Sequence, residues 1–291
     1  MKTIRSVLFL FLLTLTLPAL AQDEEGNTKP TVNRWNFGIN FGVYDAHKYP
    51  ASYYNGFYTN ENNIGYVMSN YYWYQDIKNA LGASDTVIVT EYPADMNYKF
   101  AMMAGLFIRC NLNLNWGVCL DVNYTQLKAE DVVTFEVDPA PYLTYPDYRY
   151  IPIRGVEQRV HLDLTVQRNF RLKNRIYFFL QGGLNLNYSR VLQSSIYVED
   201  REYNLVNIYG SQTYVPGLSL QEYTVNQGGV GYGGMVSVGA GIPLADMFGI
   251  EPGFIFNYNN VALEGYNEFR PSFGINLRLL FGNILPRPDP D

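Results

Sequence analysis

Histidine and cysteine are scarce, with two of each in 291 residues. Two histidines, His47 and His161, are too few for a His-built metal centre, and no metal or other cofactor is expected. Cys110 and Cys119 flank a short turn, but strand parity sends the first outward and the second inward, so two unpaired thiols are expected. Basic residues are also in short supply, 21 Lys and Arg against 27 Asp and Glu, and they form no tract, which argues against nucleic acid as a partner. After residue 21 no apolar run approaches the roughly 20 residues that a membrane-spanning helix needs. If the chain enters a bilayer, only a closed β-barrel can carry it there, because every backbone group must find an internal partner. The mean hydropathy of −0.14 is compatible with that, since lipid-facing and lumen-facing residues average out.

What is abundant is aromatic: 26 Tyr, 17 Phe and three Trp. Residues 1–21 carry Lys2 and Arg5, an apolar run over 7–17 and Ala19-Leu20-Ala21, the layout of a cleavable signal peptide. No Cys follows the cleavage site to take a lipid anchor. The expected organisation is a signal peptide at 1–21, a polar lead at 22–33, a barrel at 34–281 and a tail at 282–291. Without the leader, 19 basic residues stand against 27 acidic, a formal charge of −8.

The segment 270–281, RPSFGINLRLLF, sets the pattern for the rest. Phe273, Ile275, Leu277, Leu279 and Phe281 fall on one face of an extended strand. Ser272, Gly274, Asn276 and Arg278 fall on the other, with Leu280 the exception. The same alternation recurs at 34–44, 98–110, 116–126, 158–170, 175–190, 230–242 and 249–259, which makes eight strands long enough to cross a bilayer with tilt. Connections after the second, fourth and sixth strands are short. Those after the first, third, fifth and seventh are longer, at 45–97, 127–157, 191–229 and 260–269. Short turns on one side and long loops on the other is the layout of bacterial outer-membrane barrels, with both chain ends in the periplasm. Segments 86–90 and 132–137 read as strands that continue beyond the membrane.

An aromatic-rich secreted sandwich or lipocalin-like barrel is the alternative, and the identity of the greasy face decides against it. The polar rows are Gly, Asn, Gln, Ser and Thr with a few charges, whereas the apolar rows hold more volume than an eight-stranded interior accommodates. The apolar face must point outward. The fold expected is an all-β, eight-stranded, antiparallel, up-and-down transmembrane barrel with long extracellular loops.

With its signal peptide, eight amphipathic strands, Tyr- and Asn-rich loops and a last strand ending at Phe281, the chain resembles the small outer-membrane barrels of the OmpX and OmpA kind. It looks most like the aromatic-rich barrels of Bacteroidota, including the group named after PorT. The resemblance covers nearly all of the chain after residue 21 and brings no catalytic motif. It implies a bacterial outer-membrane location and, for the PorT-like group, an association with protein secretion machinery. The chain departs from the pattern in carrying residues 282–291 beyond the terminal aromatic.

The expected lumen holds Lys99, Arg109, Asp121, His161, Asp163 and Arg278. Asp121 and Asp163 lie on neighbouring strands, so they read either as a proton-handling pair or as part of an ion-pair plug neutralised by Arg109 or Arg278; the plug is the expectation. His161 and Asp163 share a face as a hydrolase dyad would, but no Ser is singled out as nucleophile, and an enzyme is not expected. Loop 45–97 concentrates aromatics, among them Tyr53, Tyr54, Tyr58, Tyr71, Tyr72 and Trp73. These suit a partner-binding surface equally as they suit packing over the barrel mouth. Arg168, Arg171, Lys173 and Arg175 read as an ordinary solvated turn.

The function expected is therefore a non-enzymatic barrel that binds a partner, or serves a surface or secretion assembly, through its loops or its body. The expected surroundings are outer-membrane lipid and lipopolysaccharide. A small pore or ligand carrier is the alternative, and an outer-membrane hydrolase or acyltransferase comes third.

Overall fold

From Trp35 onward every second side chain is large and apolar, and the backbone takes the extended form in which those side chains share a face. The computed structural model describes residues 34–138, 145–172, 176–205, 227–245 and 247–282. The expected signal peptide, the polar lead to residue 33, the tail from 283, and Lys173 and Arg175 lie outside them.

Ten strands follow in order: β1 (Trp35–Asp45), β2 (Val87–Glu91), β3 (Ala101–Asn111), β4 (Trp116–Val137), β5 (Asp147–Arg171), β6 (Tyr177–Val198), β7 (Arg201–Asn204), β8 (Gly228–Ala245), β9 (Phe248–Asn259) and β10 (Arg270–Phe281). Eight of them close a ring in the order β1-β3-β4-β5-β6-β8-β9-β10, every pair antiparallel and β10 returning to β1. Closure leaves no unpaired edge at membrane depth. The end of β3 and start of β4, the end of β5 and start of β6, and the end of β8 and start of β9 lie at one end of the ring, where β1 starts and β10 stops. The long connections lie at the other.

The alternation survives folding. Phe37, Phe41, Leu106, Ile108, Val122, Leu164, Leu184, Val236, Phe254 and Ile275 stand exposed around the ring. Asn40, Asn123, Thr165, Gln181, Asn185, Asn257 and Asn276 on the same strands are buried. A closed ring with an apolar outside and a polar, filled inside is a surface solvated by hydrocarbon. Rings bound this belt at both ends: Trp35, Trp116 and Phe170 towards the short turns, and Tyr124, Tyr188, Tyr232 and Tyr258 towards the loops.

Two expectations are corrected here. Segment 127–157 is mostly strand rather than loop: β4 and β5 stay in register from Trp116↔Arg168 to Val137↔Asp147, so the wall rises well past the belt. There β2 pairs with β4 and β7 with β6, extending the raised wall sideways. Loop 45–97 is structured too. It contains α1 (Lys48–Ala51), a 3-10 turn (Ser52–Tyr54), α2 (Gly65–Ser69) and α3 (Tyr71–Leu81). Asn70 caps α3 by accepting from the amides of Tyr72 and Trp73, and Gly82 ends it at φ 68°. Ile77 and Leu81, four apart on one face of α3, are buried. They share a core with Tyr53, Tyr54, Ile64 and Val67 and with Val133, Phe135, Ile153 and Ile196 of the raised wall. This apolar cluster forms a cap, separate in character from the polar lumen beneath it.

The glycines of β8 have a packing role. Gly241 and Gly239 lie opposite Tyr177 and Phe179 of β6, and a Cβ at either would fall within 2.5 Å of the facing ring. The lumen is narrow enough that inward rings need a neighbour with no side chain.

Candidate functional site

Arg278 of β10 and Asp121 of β4 meet at 2.9 Å near the centre of the lumen. Arg278 also donates to Gln181 Oε1 at 2.7 Å, and Gln181 returns a bond to Asp121 at 3.1 Å. Asn40 adds a further bond to Asp121 at 3.1 Å. Closer to the short turns, Arg109 forks onto both carboxylate oxygens of Glu251, at 2.7 and 2.5 Å. Tyr177 donates to the same carboxylate, and Arg278 stands 3.7 Å from it. The two guanidiniums lie 5.7 and 5.3 Å from the Phe107 ring. All these ions are buried, and each has an opposite charge in reach, the condition for keeping charge out of water.

Nearer the cap, Tyr54, Tyr98 and Arg159 converge on Glu157, the two tyrosine hydroxyls at 2.7 and 2.9 Å. Tyr54 comes down from the cap, and its ring lies on Gly155 of β5, where a Cβ would sit 2.1 Å from it. Burial, then the charge of Glu157, pushes the Tyr54 hydroxyl well above the usual phenol range, so it stays a donor.

Of the six residues expected in the lumen, five are there. Lys99 is the correction. Tyr98 points inward, Lys99 and Phe100 both point out, and the strand begins only at Ala101, so the alternation breaks between them. Lys99 instead binds Glu130 on the outer wall. Asp121 and Asp163 are direct cross-strand partners, yet they do not form a pair. Asp121 goes to Arg278, while Asp163 accepts from Asn185 at 2.6 Å. His161 packs its ring on Tyr44 at 5.1 Å between centroids, and Asn185 lies between it and Asp163. A buried imidazole so placed has no approach for a substrate.

Glu251, Glu157 and Arg159 belong to the network in addition to the residues expected in the lumen. Glu251 shares parity with Asn257 and Asn259, so the strand pattern already marked it as inward. Glu157 and Arg159 share parity with His161 and Asp163; Glu157 falls one residue before the strand expected at 158–170, whereas Arg159 lies inside it on the inward row.

The six loop aromatics divide. Tyr53 and Tyr54 are fully buried and so are corrected to cap-packing residues. Tyr53 donates to Glu61 at 2.7 Å and packs edge-on against Tyr54 and Tyr266. Trp73 is half-buried against the cap core. Tyr58, Tyr71 and Tyr72 are 69%, 69% and 80% exposed.

Among the described residues no cluster of three or more His, Cys, Asp or Glu is arranged to hold a metal. Cys110 and Cys119 are free thiols.

No protein-family model matches the chain, and comparison with curated proteins found no match. Solved structures similar to it include Neisserial surface protein A, with a TM-score of 0.40 and 8% identity over 85% of this chain and 96% of that one. The outer membrane protein OprG from Pseudomonas aeruginosa gives a TM-score of 0.38 and 8% identity, covering 85% of this chain and 92% of that one. Ail, the attachment invasion locus protein of Yersinia pestis, solved with the heparin analogue sucrose octasulfate, gives 0.33 and 9%, covering 86% of this chain and all of that one. At such values no residue role passes from them to this chain, and the barrel rests on its own closed strand ring.

Proposed function

We propose that this chain is a sealed bacterial outer-membrane barrel, non-enzymatic, whose capped end is extracellular and engages a protein partner as an accessory of a surface or secretion assembly. The observation that carries the reading is the contrast between the two ends of the molecule. Below, the lumen is filled by charge-paired side chains. Above, the cap is held by a rigid apolar core and directs Tyr58, Tyr71 and Tyr72 outward. Large rings on a preorganised helix and turn bind at low cost in lost side-chain freedom. The PorT-like resemblance points to secretion, and the short-turn end with both chain ends would then lie in the periplasm.

The test is co-purification from native outer membranes in mild detergent, comparing the wild type with Tyr58→Ala, Tyr71→Ala and Tyr72→Ala combined. A stoichiometric protein lost from the triple variant supports the reading. Wild-type protein that purifies alone, or a partner that the triple variant retains, sinks the cap version. Sustained conductance of the wild type in planar bilayers would return the pore.

A further inference from the structure

The raised outer wall carries an unexplained set of cations. On β4, β5 and β6 the aromatic edge of the belt is the cross-strand row Tyr124↔Val160↔Tyr188. The next outward row is Gln126, Gln158 and Arg190, and beyond it come Lys128 and Val156 and then Glu130 and Arg154. Lys128 is four residues past Tyr124, about 13 Å along the strand or about 10 Å in height after tilt. That is headgroup depth for a bilayer whose hydrocarbon ends at the tyrosines.

A groove of about 360 Å³ opens there, lined by Lys128, Arg154, Val156, Leu192 and Glu202 among others. A β-bulge lies in its wall: Val156 pairs with Gln193 and Glu157 with Val191, which leaves Leu192 unopposed on β6. The charges are unevenly committed. Arg154 spends its Nε on Glu130 at 2.7 Å, stacks over Tyr197 at 5.2 Å and also hydrogen-bonds the Tyr197 side chain, so only part of its five N–H donors is committed. Lys99 is held by Glu130 as well, and Glu202 accepts from Gln193 and Ser195 at 2.7 and 2.6 Å. Lys128 and Arg190 have no side-chain partner among the described residues. With four cations against Glu130 and Glu202, this face carries an excess of two positive charges. The opposite arc ends in Tyr232, Tyr258, Phe273 and Val43, with Asp45 beyond. Arg270 at that rim is bound to Glu268. The cationic face is one-sided.

We infer that this groove seats the phosphorylated sugar headgroup of an outer-leaflet lipid, with Lys128 and Arg154 on a phosphate and its acyl chains lying along Tyr124, Val160 and Tyr188. The inference rests on the outer-membrane reading above. The lining agrees with it: Gln126 and Gln193 stand beside the two cations as partners for sugar hydroxyls, and Val156 and Leu192 are its apolar members. An ammonium and a guanidinium converging on one phosphate supply charge-assisted bonds that a zwitterionic headgroup does not match.

The experiment is native mass spectrometry of the full-length protein released from bilayer nanodiscs containing diphosphoryl lipid A, its dephosphorylated form, or phosphatidylcholine alone. Flotation with liposomes is read on the same preparations. The wild type is expected to float and to retain diphosphoryl lipid A in preference to the other two. Lys128→Gln alone should cut that retention about tenfold, since it removes one charge-assisted contact. Because Lys128 bonds no other side chain, its loss leaves the fold intact. Arg168→Gln, at the far end of β5, should leave retention unchanged. Equal retention of the phosphorylated and dephosphorylated lipids by protein that floats overturns the headgroup site while the membrane reading stands. Displacement of lipid A by equimolar inorganic phosphate, or an equal loss in Arg168→Gln, overturns it too. Protein that does not float removes the membrane reading itself.

Discussion

Arg278 and Asp121 form a 2.9 Å ion pair between β10 and β4, strands separated in the ring by β1 and β3. Arg109 and Glu251 do the same between β3 and β9. These pairs brace the barrel across its lumen, where neighbouring-strand hydrogen bonds do not reach. Arg278→Met removes one partner and leaves Asp121 buried without its cation, at a cost of about 3–5 kcal/mol. Urea unfolding followed by heat-modifiable mobility should show the lowered midpoint. Adding Asp121→Asn to Arg278→Met should recover much of the loss. A double variant as weak as the single one would mean that packing, rather than charge, is what Arg278 supplies.

The cap depends on one glycine. Because a Cβ at Gly155 would lie 2.1 Å from the Tyr54 ring, Gly155→Ala has to displace the ring and break its bond to Glu157. Overpacking of this kind costs about 1–3 kcal/mol. The loss should fall on the cap alone, because the ring of eight strands does not pass through Tyr54. Limited trypsin digestion is expected to cleave at Lys48 or Lys78 in the variant before the wild type, with the membrane-embedded fragment surviving. Identical digestion patterns would remove Tyr54 as the cap's anchor.

A pH effect is expected at α1. The Nδ1 of His47 accepts the Tyr49 amide at 3.0 Å and must be unprotonated to do so. Burial, then the charges of Arg270 and Lys48, lowers the His47 pKa below the ordinary imidazole value. The unfolded loop therefore takes up a proton more readily than the folded cap. This contribution to stability is complete above the ordinary imidazole pKa and is lost as the pH falls below it towards the lowered value. Exchange of the Tyr49 amide should accelerate between about pH 7 and about pH 5 relative to His47→Asn, whose cap does not titrate. The same acceleration in both proteins would contradict it.

The two thiols should behave differently. Cys119 is buried in the lumen with Sγ 3.5 Å from Gln167 Oε1, out of reach of a reagent in the folded protein. Cys110 is half-buried on the outward row beside Trp35. A membrane-permeant maleimide should modify Cys110 in the folded protein and reach Cys119 only after unfolding. Mobility that changes on reduction would show instead that the two are bridged.

Sequence alone determined everything that follows from a period of two. Which residues form strands, which face is apolar, that Cys110 and Cys119 diverge and that 270–281 is a strand are all local consequences of alternation. Local patterns survive because lipid solvates one whole face and the lumen the other. Where the alternation slipped, at Tyr98 and Lys99, or where a strand outran its apolar row, as β4 and β5 do above Tyr124, the local rule lost its hold. Tertiary structure decided which inward groups meet. Arg109 reaches Glu251 and not Asp121 because the stagger of the closed ring sets their relative heights, and no strand carries that stagger in its own residues. It also separated Tyr53 from Tyr72. Both are loop tyrosines by composition, and only the docking of the 3-10 turn and α3 onto the raised wall buries one and exposes the other.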